Sequence, residues 1–425
     1  MSIVFKYNGY LLCTINKVRM KKLGLILMVA TLPALCMSQQ KVLNKFGTGF
    51  INVISQDSSW SMKLGLRIQS LYVGAWNVND TAGFGVGTSN FMIRRARIKF
   101  DGFAFSPKLQ YKIELGLSNK DLGKVDSRNN FAPRMILDAV VKWNFYKNFT
   151  LWAGQTKLAG NRERVISSAN LQFVDRSNLN SYFNIDRDMG FQLHHHMTLG
   201  KSFLIREIVS VSQGEGRNLV QDNLGGYQYT GRVEFLPMGK FTSKGDYTGG
   251  DLKREKKPKL SIGVSYDYND RAVKDRSNQG SYMSYDLDGD ENIDGYFHSN
   301  ITTVFADLMF KYRGFSLMAE YSLRNADKVD HEIENYDLSI TSRSVQVGSG
   351  LNAQMGYVFN NNWEIAGRFT QIVPTGSDQY EQYTLGLSKY VVGHKLKVQT
   401  DVSYLRTNHD PDSQLMYRLQ FELHF

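Results

Sequence analysis

The stretch of sequence that decides the fold is the last one, Gln414-Leu-Met-Tyr-Arg-Leu-Gln-Phe-Glu-Leu-His-Phe425. Side chains of a β-strand point alternately to its two faces, so this stretch has one apolar face and one almost wholly polar face. The apolar face holds Tyr417, Leu419, Phe421, Leu423 and Phe425, and the other holds Met416, Arg418, Gln420, Glu422 and His424. A single apolar face that recurs along a whole chain is what a membrane-spanning β-barrel requires.

Segments with this alternation recur from Ser61 onward, and sixteen can be identified. They are 61–76, 89–103, 107–117, 135–145, 148–156, 189–199, 203–213, 226–237, 257–269, 300–312, 315–325, 343–358, 362–373, 378–389, 394–406 and 414–425. Short and long connections alternate between them, which is typical of outer-membrane barrels with short periplasmic turns. The pattern predicts an all-β fold, a transmembrane antiparallel β-barrel of about 16 strands that encloses a water-filled channel. A soluble β-sandwich is the alternative.

The charged residues of each segment fall on one face. In 394–406, for example, Lys395, Lys397 and Asp401 share a face, opposite Leu396 and Val398. Because Arg or Lys at the bilayer midplane costs about 2–4 kcal/mol, the charged face must line the lumen.

The N-terminus predicts export. Two lysines precede a short apolar core that ends near Ser38, which is typical of a secretory signal peptide and too short for a spanning helix. We expect residues 1–38 to be the signal-peptide region, with Met20 as the natural start. Residues 39–58 are then a short N-terminal periplasmic segment, and 59–425 form the transmembrane β-barrel.

Composition excludes several classes of protein. The mean hydropathy of −0.35 does not fit a bundle of membrane helices. Cys13 and Cys36 both lie in the segment that we expect to be removed, so the mature chain is not a disulfide scaffold. The formal net charge of +11 falls to +6 without the five basic residues of 1–38, so we expect no nucleic-acid partner.

The densest basic motif is Phe91-Met-Ile-Arg-Arg-Ala-Arg-Ile-Lys-Phe-Asp101. Arg95, Arg97 and Lys99 share the inward face, whereas Arg94 breaks the alternation and is predicted to lie at a bulge or at the membrane rim. A column of guanidinium groups in a water-filled channel attracts anions and offers a fork geometry that matches phosphate or carboxylate. The alternative is a wall of balanced charge, in which Glu114 on the next strand neutralises part of the column.

The segment from Gly154 to Gly190 separates the fifth and sixth predicted strands. A connection of about 30 residues in a compact fold is usually functional. We expect it to fold inward as a constriction loop. Lys157, Arg162 and Arg164 lie in it and are predicted to line the channel.

The acidic stretch Asp286-Leu-Asp-Gly-Asp-Glu-Asn-Ile-Asp-Gly295 lies in another long loop. Its alternating oxygen-bearing residues are typical of calcium loops, although the glycine and glutamate positions of an EF-hand are occupied by other residues. The candidate ligands are Asp286, Asp288, Asp290, Asn292 and Asp294. Two interpretations stay open, a structural Ca²⁺ site and a solvated acidic turn. We expect no other cofactor.

Four motifs together give the chain a resemblance to a known family. They are Arg94-Arg-Ala-Arg97, Trp152-Ala-Gly-Gln-Thr-Lys157, Phe173-Val-Asp-Arg176 and Asp186-Arg-Asp-Met-Gly-Phe191. Over approximately residues 45 to 425 the chain resembles the phosphate-selective porin O and P family of outer-membrane channels. The resemblance implies a trimeric sixteen-stranded porin in the Gram-negative outer membrane, with a basic constriction lined by Lys157, Arg94 and Arg95.

The function expected from these features is passive diffusion of small solutes, with a preference for anions such as phosphate. We expect no enzymatic activity. The alternatives are a binding or adhesion barrel without a channel and, less favoured, an outer-membrane hydrolase. The expected partners are outer-membrane lipid, small anionic solutes, the other subunits of a homotrimer and the barrel-assembly machinery, because Phe425 resembles the C-terminal aromatic residue that this machinery recognises.

Overall fold

The computed structural model describes residues 46–79, 83–122, 134–219, 222–290, 292–408 and 412–425. The signal-peptide region and both cysteines lie outside the described residues, so the predicted N-terminal processing and domain boundaries stay predictions.

Sixteen strands form one closed antiparallel barrel, and a short strand β1 (Ile51–Ile54) pairs with the beginning of the first of them. The barrel strands are β2 Trp60–Asn79, β3 Gly83–Ala104, β4 Ser106–Gly116, β5 Ile136–Tyr146, β6 Phe149–Lys157, β7 Arg187–Leu199, β8 Phe203–Ser212, β9 Gln228–Leu236, β10 Lys259–Ala272, β11 Ser299–Tyr312, β12 Phe315–Ala326, β13 Gly348–Val358, β14 Trp363–Pro374, β15 Tyr380–Val392, β16 Leu396–Thr407 and β17 Asp412–His424. Consecutive strands pair along the chain, and β17 pairs with β2 from His424 opposite Arg67 to Asp412 opposite Asn79. The predicted fold and strand number are confirmed.

The alternation of faces is as predicted. Along β9, Thr230, Arg232 and Glu234 are buried inside the barrel, whereas Tyr229 and Phe235 are exposed on its outer surface. The outer surface is therefore apolar where it meets lipid, and the charges lie in the lumen.

A β-bulge places Arg94. Gln69 of β2 pairs with Arg95, and Ser70 pairs with Ile93, which leaves Arg94 as the extra residue of β3. The extra residue allows Arg94 and Arg95 both to turn inward, and both are buried. The irregularity that the sequence predicted at Arg94 is confirmed.

Connections on the two ends of the barrel differ in length. On the periplasmic end they have between one and four residues, except for residues 237–258 between β9 and β10, which we call the periplasmic segment. Long loops at the other end carry small hairpins, such as Asp330–Glu334 with Ile340–Ser344. No helix among the described residues is long and apolar enough to cross a membrane.

The first described residues meet the C-terminal residue at the periplasmic rim. The ring of Phe425 lies 5.7 Å from that of Phe46 and 5.6 Å from that of Phe50, edge-on in both cases. The Phe425 N–H donates to the Leu66 carbonyl oxygen at 2.9 Å. The last residue is thus tied to the first barrel strand and packed against the segment that precedes it.

Candidate permeation pathway

Residues 158–186, which we call the inward loop, cross the lumen between β6 and β7. Leu158 and Ile185 pack against Phe305 of β11. Farther along the loop, Leu179 and Phe183 pack against β14 and β15. Because these contacts are apolar and fully buried, the loop is fixed to the wall, and the predicted inward-folded constriction loop is confirmed.

A buried ion cluster also anchors the inward loop. Arg162 is 0% exposed, its Nε donates to Asp307 Oδ1 at 2.7 Å, and Nη2 donates to Ser261 Oγ at 3.0 Å. Arg232 of β9 binds the same carboxylate, with Nη1 2.7 Å from Asp307 Oδ2. The prediction that Arg162 lines the pore is wrong, because its guanidinium faces the carboxylates of the opposite wall.

The inward loop covers the inner face of β10–β16 and leaves a one-sided pathway along β3–β8. Two cavities lie on this pathway: an outer vestibule of about 400 Å³ and an inner chamber of about 790 Å³ toward the periplasm. Four of the residues that the structure describes line both cavities, and we call them the eyelet: Arg97, Lys157, Ser168 and Arg187.

The outer vestibule is strongly basic. Its basic lining residues are Arg94, Arg95, Arg97, Lys120, Lys157, Arg164, Arg176, Arg187, Arg217, Arg276 and Arg418. Its acidic lining residues are Asp121, Asp175 and Asp186. Among the described residues, eleven basic side chains against three acidic ones make this cavity a region of positive potential, which concentrates anions.

The predicted arginine column is partly neutralised. Arg94 binds Asp175 through both ends of its fork, at 2.8–3.0 Å, and Arg95 lies 3.2 Å from the same carboxylate. Burial alone would raise the pKa of Asp175. The positive charges of Arg95 and Arg94 lower it by more than burial raises it, so the pKa is well below its usual value. Two guanidinium groups thus share one carboxylate, and a net positive charge remains.

Arg97 has two acidic partners. Its Nη2 lies 2.6 Å from Asp121 Oδ1, and its Nη1 lies 3.0 Å from Glu114 Oε1. The contact with Glu114 is the neutralisation considered as the alternative from the sequence. At Arg97 the wall is therefore paired, whereas at Arg94 and Arg95 it keeps a surplus of positive charge.

Lys157 and Arg187 face each other where the inward loop leaves and re-enters the barrel wall. Lys157 Nζ donates to the carbonyl oxygens of Arg164 at 2.6 Å and Ile166 at 3.1 Å, and no carboxylate among the described residues forms an ion pair with it. Arg187 binds Asp138 at 3.1 Å. Lys157 thus fixes the bend where the inward loop leaves β6, through hydrogen bonds to the carbonyl oxygens of Arg164 and Ile166.

The remaining candidates lie above and below the eyelet. Arg164 lines the outer vestibule and donates through Nε to Asp186 at 2.7 Å. Lys99 pairs with Asp101 at 2.7 Å in a separate recess that also contains Lys112. Lys99 therefore lies apart from the eyelet.

Sequence reasoning did not select several basic residues of the pathway, namely Arg176, Arg187, Arg217 and Arg418. Arg187 could have been found, because it begins the strand that pairs with the end of β6 and so must lie opposite Lys157. Arg418 is inward on β17, as the alternation predicts, but nothing in the sequence indicates that it reaches the vestibule.

Part of the predicted calcium ligand set comes together. One carboxylate oxygen each from Asp286, Asp288 and Asp294 lie within 4.8 Å of one another. Asp290 instead accepts hydrogen bonds from the backbone and side chain of Asn292 and is exposed, as is Asn292. Asp290 therefore lies outside the group of three carboxylates, and Ca²⁺ binding there stays a prediction.

Comparison with known proteins gives a family and a set of similar folds. The profile of the family described as phosphate-selective porin O and P matches residues 62–421. The outer-membrane channel DcaP of Acinetobacter baumannii has a TM-score of 0.50 and 13% identity, over 89% of this chain and 100% of that one. The anion-selective porin of Comamonas acidovorans has a TM-score of 0.49 and 10% identity, over 86% and 100%. No curated protein sequence matches the chain.

The family match extends from the first barrel strand into the last, and the structural similarity supports the same closed barrel. A lumen with an inward loop and two cavities that meet at an eyelet is the architecture of a diffusion channel. The chain belongs to the phosphate-selective porin O and P family and is an outer-membrane porin.

Proposed function

We propose that this porin passes small anions by diffusion and discriminates against cations at the outer vestibule and the eyelet. The observation that carries the proposal is the charge of the outer vestibule, where eleven basic and three acidic side chains of the described part of the chain line the cavity. Family membership favours a channel over the hydrolase alternative.

Selectivity in such a pathway comes from weak sites in series. Conduction requires that an ion bind well enough to enter and weakly enough to leave. The shared carboxylate of Asp175 reduces the attraction of Arg94 and Arg95 for an entering anion without cancelling it. Because guanidinium forks match the oxygens of phosphate, phosphate-like anions are the solutes that we expect to pass.

The proposed assembly is a homotrimer embedded in outer-membrane lipid. A notch of about 310 Å³ on the outer surface, bordered by Tyr72, Phe91, Ile93 and Phe421, offers an apolar surface for a neighbouring subunit. The side chain of Phe91 is 82% exposed there. Chemical cross-linking in native membranes tests the trimer, and a monomer band alone would exclude it.

We further propose that the barrel-assembly machinery recognises Phe425.

The zero-current potential across a planar bilayer in a KCl gradient tests the selectivity. We expect its sign to report chloride as the preferred ion. Replacing Arg95 and Arg97 by Gln should lower the chloride-to-potassium permeability ratio at least about fivefold, because one unit charge 4 Å from an ion contributes about 1 kcal/mol even in water.

Lys147→Gln is the matched control, because Lys147 lies in an exposed periplasmic turn and changes the net charge outside the lumen. Its permeability ratio should equal that of the unmodified protein. A preference for potassium in the unmodified channel would contradict the proposal.

A further inference from the structure

The inner chamber differs in chemistry from the outer vestibule. Its volume of about 790 Å³ is nearly twice that of the vestibule, and aromatic and apolar side chains line it beside basic ones. Trp152, Ile208 and Tyr247 are all partly exposed to it. Apolar surface inside a concave, otherwise polar cavity commonly marks a ligand site.

A fixed stack of side chains stands on the chamber wall. Lys142 Nζ lies 3.6 Å from the centre of the Trp152 ring, and the His194 ring lies 4.0 Å from that ring at an interplanar angle of 20°. The three residues come from the adjacent strands β5, β6 and β7, so the sheet itself sets their spacing. His194 is held in addition by Gln192, whose Oε1 lies 3.1 Å from Nε2.

Three lysines that line the chamber are available to an anion. Lys142 forms no ion pair with any carboxylate among the described residues, and its contact is with the Trp152 ring. Lys240 and Lys244 of the periplasmic segment line the same chamber and are exposed. The acidic residues that line it, Glu114 and Asp138, are already bound to Lys112.

We infer that the inner chamber is a subsite for organic anions that carry an aromatic ring next to a phosphate or carboxylate group. The ring packs against the Trp152–His194 pair, and the anionic group binds Lys142. This assignment rests on the proposed anion permeation and specifies which anions bind more strongly in the inner chamber. Aromatic rings prefer offset or edge-to-face packing. A cation held against the Trp152 ring lies close enough to bind an anionic group attached to a ring that packs there.

Phenyl phosphate and inorganic phosphate are the probes, because they differ by the ring. Each is titrated against the chloride current of single channels in planar bilayers, and the concentration that halves the current is measured. We expect phenyl phosphate to block at the lower concentration. Trp152→Leu should reduce the ratio of the two blocking strengths by about threefold to tenfold, the worth of one aromatic pair.

Trp143→Leu is the matched control, since Trp143 lies on the lipid-facing side of β5 and is 52% exposed. It should leave the ratio unchanged. Lys142→Gln is the second variant and should weaken the block by phenyl phosphate while leaving the aromatic pair in place. The resistance of each folded barrel to SDS at room temperature verifies assembly.

Two results would overturn the inference: equal blocking strength of the two probes in the unmodified channel, or a ratio that is the same with and without Trp152. Either can occur while the channel still prefers chloride to potassium, in which case anion permeation stands and the aromatic subsite is rejected. Loss of the chloride preference in the unmodified protein would instead reject the proposed function and the inference with it.

Discussion

At the scale of single residues, Asp175 limits the charge of the vestibule. Its carboxylate lies between Arg94 and Arg95 and remains ionised because both guanidinium groups stabilise the charge. Asp175→Asn should therefore raise the chloride-to-potassium permeability ratio, by about fivefold at 0.1 M salt and by less at 1 M, where the Debye length falls to about 3 Å. The zero-current potential at the two salt concentrations measures it. Asp57→Asn, in an exposed periplasmic turn, is the control. A shift toward potassium would contradict the assignment.

Residue positions on strands could be predicted, and those on the inward loop could not. The period of two placed Arg95 and Arg97 in the lumen, and the break in that period located the bulge at Arg94. Arg162 follows no such period, because the inward loop has no regular repeat and the partners of Arg162 lie on β9–β11, far away in sequence. The sequence therefore identified Arg162 as a charged residue of the inward loop but did not reveal that its side chain is buried.

At the scale of elements, the inward loop depends on Arg162. Arg162→Met leaves Asp307 and Glu234 without one of their buried cationic partners, and breaking a buried pair costs about 3–5 kcal/mol. The barrel has its own hydrogen bonds, so we expect the loop to detach while the barrel persists. Single-channel recordings should show a larger and noisier conductance. Arg164→Met, two residues away, keeps this anchor and should instead shift selectivity toward cations. An unchanged conductance in Arg162→Met would show that the apolar clusters hold the loop alone.

The acidic loop offers a second prediction at this scale. If Asp286, Asp288 and Asp294 bind Ca²⁺, calorimetry of the refolded protein should detect binding with a dissociation constant of about 10⁻⁴–10⁻³ M, as in extracellular modules. EDTA should lower the melting temperature. Asp294→Asn should abolish the heat, whereas Asp290→Asn should retain it, because Asp290 lies outside the group of three. Absence of both heat and a melting shift would support the solvated turn.

At the scale of the whole molecule, closure of the barrel depends on the pairing of β2 with β17. Phe425 extends that seam through its hydrogen bond to Leu66 and its contacts with Phe46 and Phe50. Deleting Phe425 should lower the amount of assembled protein far more than it changes the conductance of the channels that do assemble. The intensity of the heat-modifiable band in electrophoresis of outer-membrane fractions measures the amount of assembled barrel. Leu385→Ala, on the lipid face of β15 and 65% exposed, is the control. Equal losses in both variants would contradict a specific role for Phe425.

The position of Phe425 also limits the time during which its proposed recognition by the assembly machinery can take place. In the closed barrel its ring packs edge-on against Phe46 and Phe50, and these contacts require that the segment before β2 has reached the last strand. The proposed recognition of Phe425 is therefore confined to barrels that have not yet closed. Under this proposal, the contacts of Phe46 and Phe50 with Phe425 end the exposure of the terminal residue. Unfinished copies then stay distinguishable from completed ones in the same membrane.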